Sequence, residues 1–216
     1  MMRNKFDMQL EELNNSLIGM GAMCETAIAS AVKALLENDL TLAKKVMESV
    51  KDINQAEKDI EAMCLKLILQ QQPVAKDLRQ ISSILKMITD MDRIGVQAGD
   101  IAEIVTFADL SESKDRVHIA DMAKATIKMV SESIDAFVKK DVELANQVIE
   151  YDDVVDELFT KVKDGIVNLI SKDKKHGEQA VDIIMIAKYL ERIGDHATNI
   201  AEWVVFSITG IHVEVS

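Results

Sequence analysis

The sequence predicts an all-α fold: two tandem three-helix bundles, six long antiparallel helices in all, related by an internal pseudo-two-fold. Three observations carry this. The 216 residues hold one proline and eight glycines, too few turn-formers for a β-rich chain. The composition is 48% hydrophobic but only 4% aromatic, with twelve methionines among abundant Ala, Leu, Ile, Glu and Lys, which favours helix. The pattern of the first half then recurs in the second.

The elements follow in order. Leu10, Leu13, Leu17, Met20, Ala27, Ala31, Ala34 and Leu35 keep a helical period, predicting a first helix from about Asn4 to Asn38. Asp39 is placed as the N-cap of a second helix reaching about Gln71. Pro73 marks the start of a third, since proline is tolerated in a first turn, and this helix runs to about Ala108. The polar stretch Asp109 to Arg116 has weak periodicity and reads as a linker. It separates a first repeat, 1–108, from a second, 117–216. A fourth helix extends to about Lys140, Asp141 caps a fifth to about Ile170, and a charged loop at Ser171–Gly177 precedes a sixth. That last helix ends near Thr209, with Gly210 as terminator.

The duplication is explicit in two places. E-N-D-L-T-L-A-K-K-V at Glu37–Val46 aligns with K-K-D-V-E-L-A-N-Q-V at Lys139–Val148, an offset of 102. D-R-I-G-V-Q-A-G-D-I-A-E at Asp92–Glu103 aligns with E-R-I-G-D-H-A-T-N-I-A-E at Glu191–Glu202, an offset of 99 with seven of twelve positions identical. In this second pair the acidic and amide residues fall at i, i+4, i+8 and i+11, about 0°, 40°, 80° and 20° around a helix. Glu191, Asp195, Asn199 and Glu202 therefore form one strip. Asp92, Asp100 and Glu103 form its counterpart, with Val96 in the remaining place.

A solvated face is the ordinary meaning of such a strip. Here Ile81, Leu85, Ile88 and Phe107 lie in line with the first copy, and Ile184, Ala187 and Phe206 with the second. Ile94, Ala98, Ile101 and Val105 make the opposite side apolar too, leaving Arg79, Lys86, Arg93 and Gln97 as the expected solvent face. Enclosed carboxylates are costly unless paired or metal-bound. Carboxylates at i and i+4 suit a shared hard cation, and oxygen-only donors fit Mg²⁺, Mn²⁺, Fe or Ca²⁺ better than a structural zinc. Asp7, Glu11, Asp152, Asp153 and Asp156 are available to complete a shell, but the sequence does not place them. The Glu-x-x-His pairs of ferritin-type di-iron bundles are absent, and His196 lies off the strip. Gly95 and Gly194, inside helical motifs, point to close helix packing.

Other classes are disfavoured. A net charge of −12 argues against nucleic acid or an anionic membrane surface as partner. No P-loop, dinucleotide fingerprint or G-x-S-x-G occurs, and no nucleophile constellation is visible. Cys24 and Cys64, without CxxC company, read as buried reduced thiols. The N-terminus does not read as a signal peptide. The most apolar stretch, Ile200–Ile211, carries Glu202 and is too short to span a bilayer. The chain is therefore expected to be cytoplasmic with no transmembrane segment.

The doubled motif, together with Q-Q-P-V-A-K-D-L-R at Gln71–Arg79, resembles the signature of the PhoU family of phosphate-specific transport accessory proteins, over essentially the whole chain. The resemblance implies a cytoplasmic homodimer with metal sites at Glu191, Asp195, Asn199 and Glu202 and at Asp92, Asp100 and Glu103. The ion, whether Mg, Mn, Fe or Zn, is left open. It implies regulation of the phosphate ABC transporter and repression of the phosphate-starvation response, through the transporter ATPase and a phosphate-sensing histidine kinase. Pro73, Asp77 and Arg79 would belong to a structural or partner-binding segment. Two departures stand out. Val96 breaks the first acidic motif, so that site is expected to bind metal more weakly, and H-G-E-Q-A-V-D replaces P-V-A-x-D-L-R in the second half. The alternatives are an enzyme built on a carboxylate-bridged metal cluster, and a metal-free helical adaptor.

Overall fold

The structure, a computed structural model, describes residues 2–71, 73–108, 116–172 and 177–212. The described residues form six helices and no strand: α1 (Met2–Glu37), α2 (Leu40–Gln71), α3 (Ala75–Phe107), α4 (Arg116–Lys139), α5 (Val142–Lys172) and α6 (Gly177–Thr209). Most of the expected linker, 109–115, lies outside the described residues.

The two predicted acidic caps form, and each closes the same compact turn. Asp39 Oδ1 accepts the backbone N–H of Thr41 and Leu42, both at 2.9 Å, and Asp141 Oδ1 accepts that of Leu144 at 3.0 Å. Just before each cap the chain turns left-handed, at Asn38 (φ 56°) and Lys140 (φ 54°). The amides of Asp39 and Asp141 reach back to Ala34 O and Ala136 O, each at 2.9 Å. One aspartate therefore ends one helix and starts the next in each repeat.

Each repeat packs its three helices on one another, and α1 with α4 and α3 with α6 join the halves. The outer helices α2 and α5 have no packed contact with the opposite half among the described residues. The interior is aliphatic and methionine-rich. Leu13, Leu17 and Ile28 of α1, Met87, Met91 and Ile94 of α3, and Ile186, Leu190 and Ile193 of α6 are fully buried. Cys24 and Cys64 are buried and free, and burial pushes both thiols up to about 12.

α3 and α6 run antiparallel. Arg79, near the start of α3, donates from Nε to Ser207 O (3.1 Å) and from Nη2 to Ile208 O (3.2 Å) at the end of α6. These carbonyls have no intrahelical partner, so Arg79 caps the helix of the other repeat. Gly210 stops α6 with φ +79°, and a Cβ there would strike the Arg79 guanidinium.

Three expectations are corrected. Lys86 and Arg93 are exposed as predicted, but Gln97 is buried and Arg79 half-buried. α3 packs on α1, α2 and α6, which leaves no solvent face that wide. Phe107, expected to face inward, is 69% exposed because it is the last residue of α3. The most membrane-like helix is α1 rather than the end of α6. Its Phe6–Glu37 segment is long and apolar enough to cross a membrane by length and composition alone, and much of it packs against α2, α3 and α4.

Asp141→Ala should lower stability by about 1 kcal/mol, within the roughly 0.5–2 kcal/mol that lost N-caps cost. Asp39→Ala should cost a similar amount. Urea unfolding of both variants measures it, and a change below about 0.3 kcal/mol in both would show that the aspartates do not act as caps.

Candidate functional site

The two acidic strips lie on opposite flanks. Each begins facing the outer helix of its own repeat, where a glycine lets that helix approach. A Cβ on Gly95 would meet Ile53 Cδ1 of α2 at 2.8 Å, and one on Gly194 would meet Asp152 Oδ1 of α5 at 3.1 Å and Val155 Cγ1 at 3.4 Å. Ile53 and Val155 are equivalent under the 102-residue offset of the second helices, as Gly95 and Gly194 are under the 99-residue offset of the third. The same packing contact is made twice.

Around that shared contact the two flanks differ in charge. On the second flank, Asp152 and Asp156 of α5 face Glu191 and Asp195 of α6. Burial, then Asp195, Asp156, Asp153 and Glu191, raise the Asp152 carboxyl to about 6. Burial, then Glu191 and Asp153, raise Asp156 against the opposing Lys188. Burial and Glu191 raise Asp195, again opposed by Lys188. Lys188 forms an ion pair with Glu191, one turn away on the same helix. Four carboxylates thus share a groove with Lys188, but the groove is less enclosed than the sequence suggested: Asp152 and Glu191 are half-buried, whereas Asp156 and Asp195 are exposed.

On the first flank, the equivalents of Asp152, Asp156, Glu191 and Asp195 are Val50, Asn54, Asp92 and Val96. Asn54 Nδ2 donates to Asp92 Oδ1 at 3.3 Å, so an amide–acid bond stands where the second flank has two acids. Glu57 is drawn in as well: burial, then Asp92 and Glu61, raise its carboxyl.

The later members of each strip turn toward the seam between halves instead. Asn199 Nδ2 donates to Asp90 Oδ1 of α3 at 3.2 Å, and His196 Nδ1 bonds the same oxygen at 2.8 Å. A carboxylate only accepts, so this Nδ1 carries the proton. Burial and Asp90 raise Glu202, while His212 lowers it. Asp100 is raised by burial and Glu103 and held down by Arg192 of α6. Trp203 stacks edge-on with Phe206 and His212, under the Lys86 ammonium. Glu103 is exposed. Pro73 and Asp77 frame the start of α3, where Asp77 lies in the first turn, at the positive end of the helix.

The predicted residues therefore divide. Glu191 and Asp195 come together with Asp152 and Asp156, which the sequence offered but could not place. Asn199, Glu202 and Asp100 belong to the seam. Asp90, Asn54 and Glu57 were not foreseen, although the second-helix alignment sets Asn54 against Asp156 and was the available signal.

The second flank suits a hard cation by donor chemistry. It offers oxygen donors alone, from two helices, with carboxyls raised by burial and by one another, and a glycine where a longer side chain would fill the groove. No three His, Cys, Asp or Glu side chains among the described residues converge closely enough to hold an ion as they stand. The first flank, with one strip acid and two valines, is the poorer site.

In comparisons with known proteins, a family model described as the PhoU domain matches twice, over residues 17–105 and 119–204. The chain is 35% identical to a phosphate-specific transport system accessory protein PhoU homolog of Clostridium acetobutylicum, covering 100% of both chains. It is 28% identical to the accessory protein PhoU of Escherichia coli, over 95% of this chain and 86% of that one. The crystal structure of PhoU from Pseudomonas aeruginosa superposes with a TM-score of 0.90 at 36% identity, covering 95% of this chain and all of that one. The phosphate transport system regulatory protein PhoU from Streptococcus pneumoniae gives the same TM-score at 26% identity, covering 97% and 100%.

The burial of Asp152, reinforced by repulsion from its neighbouring acids, predicts a pH dependence in metal-free protein. Asp152 in the folded chain binds its proton as pH falls through about 6, whereas unfolded chain waits until near 3.8. Its contribution to stability is full below the unfolded value and is lost as pH rises through the folded one. Between pH 7 and 5, metal-free wild type should therefore gain in melting temperature from this group. Asp152→Asn should be the more stable protein at pH 7 and show a flatter slope. Parallel slopes in calorimetric scans would show that neither burial nor the neighbouring acids raise the Asp152 carboxyl in solution.

Proposed function

This chain belongs to the PhoU family, and from that membership we propose that it is a metal-binding, non-enzymatic regulator of phosphate uptake. Its relatives are named as accessory proteins of phosphate-specific transport systems, which supports a regulatory role in phosphate transport. The observation that carries the metal reading is that Asp152 and Asp156 of α5 face Glu191 and Asp195 of α6 closely enough to raise one another's carboxyls. These residues would hold the ion, of the Mg, Mn, Fe or Zn class, and its positive charge would relieve their repulsion and tie α5 to α6. Metal on the first flank would be weaker, through Asp92 and Glu57 with the Asn54 amide. Asn199, Glu202, Asp100 and Glu103 would tune the seam beside these sites.

The regulation proposed is modulation of the phosphate ABC transporter and silencing of the phosphate-starvation response when phosphate is abundant. It would act through the transporter ATPase and a phosphate-sensing histidine kinase, in the cytoplasm and as a homodimer. Long rigid helices with acidic flanks, lacking any recognised nucleophile motif, fit an adaptor that works by contact. Metal on one flank would set the stiffness of the surface it presents.

A divalent metal at about 100 times its dissociation constant should stabilise wild type by about 2.7 kcal/mol. Asp152→Asn/Asp195→Asn should lose most of this, and Asp92→Asn little. Scanning calorimetry of stripped protein with each metal tests it, and no shift with any metal would remove the site. Separately, deletion in cells should raise phosphate-starvation gene expression in rich phosphate. Unchanged expression, with neither the ATPase nor the kinase captured by tagged protein, would overturn the regulatory reading.

A further inference from the structure

The Pro73–Gln80 segment, P-V-A-K-D-L-R-Q, has no part in the acidic flanks. Its Arg79 caps α6, which leaves Lys76 and Gln80 unexplained. Both line a small cavity of about 80 Å³ where α3 begins and α4 and α6 end, together with Phe137, Lys140, Ser207 and Ile208. That is room for a few waters or one tetrahedral oxyanion.

The lining is unusual for a chain of net charge −12. It contains two lysines and no acid. Neither ammonium is ion-paired to a described carboxylate. Gln80 is only 9% exposed, and its amide bonds to no described residue. The start of α3 adds the positive end of its dipole, and Val74 supplies no side-chain cap there. The lysines are not needed to neutralise the helix ends nearby. Ala136 O and Phe137 O are bonded by the amides of Asp141 and Lys140, and Ser207 O and Ile208 O by Arg79.

From this geometry we propose that the cavity binds one inorganic oxyanion, hydrogenphosphate. Lys76 and Lys140 supply the charge, and the Gln80 amide supplies one donor. Hydrogenphosphate, unlike sulfate, also carries an O–H that needs an acceptor. Gln80 Oε1 provides one, and so does Ser207 Oγ, whose own proton is given to Val204 O at 2.7 Å. The cavity is too small for a nucleotide. The second repeat cannot build the same site, because Asn38 stands at the position of Lys140 and Glu178 at that of Arg79. The assignment rests on the cavity alone and does not require metal on the acidic flank.

The test is calorimetric titration of EDTA-treated full-length protein with phosphate, sulfate, acetate and ATP at matched ionic strength. Phosphate should bind saturably, with sulfate at least fivefold weaker and ATP not competing. Lys76→Gln/Lys140→Gln should weaken phosphate at least tenfold, and Gln80→Glu should abolish binding by placing a carboxylate in the cavity. Asp152→Asn should bind like wild type, and melting curves of all variants establish that they are folded. If the double lysine variant does not fold, Lys76→Gln alone and Gln80→Glu carry the comparison. Absence of saturable binding, or unchanged binding in Gln80→Glu, overturns the proposal. So does binding that appears only with added metal and disappears in Asp152→Asn, since the anion would then sit on the metal.

Discussion

The architecture of the acidic flanks depends on one steric constraint, the glycine in each copy of R-I-G. At Gly95 and Gly194 the outer helix lies so close that a methyl group would press on Ile53 in one repeat and on the Asp152 carboxylate in the other, with Val155 at ordinary contact distance. A glycine inside a helix costs about 1 kcal/mol relative to alanine, and close packing of a buried aliphatic offsets it. The approach also fixes which faces meet. Once Val155 seats on Gly194, Asp152 one turn before it and Asp156 directly after it are set against Glu191 and Asp195. The acids face one another because the glycine lets the two helices approach.

The duplication shows how the same contact carries different chemistry. The first repeat keeps the packing but places Val50, Asn54 and Val96 where the second has Asp152, Asp156 and Asp195. Its remaining acid, Asp92, is satisfied by an amide within the protein. The second flank instead holds four carboxylates whose repulsion is moderated by Lys188 and, at Asp195, also by His196. Folding tolerates this because Asp156 and Asp195 are exposed to water and the core beneath is apolar. The flank is therefore a place where stability is given up within an otherwise self-consistent helical design.

The halves are joined by a different kind of interaction. Along the α3–α6 seam, Asp90 accepts from His196 and Asn199, Asp100 lies near Arg192, and Arg79 closes the end of α6. These contacts run across the pseudo-two-fold and link residues more than ninety positions apart in the chain. Among the described residues each outer helix touches only its own half, so there a change on one flank reaches the other through this seam and the α1–α4 contact.

Much of this was legible in the sequence. The six helices, their ends to within about three residues, the aspartate caps, the duplication and the buried thiols all follow from periodicity and capping. Those are local properties, written within a few residues of where they act. Glu191 and Asp195 could likewise be put on one strip. What the strip faces could not be read there. Pairing Asp152 and Asp156 with Glu191, turning Asn199 and Glu202 toward Asp90, burying Gln97 and spending Arg79 on the end of α6 were decided only by the tertiary structure. These outcomes depend on the register and distance between helices, set by how side chains far apart in the chain interlock, and a one-dimensional pattern does not record that.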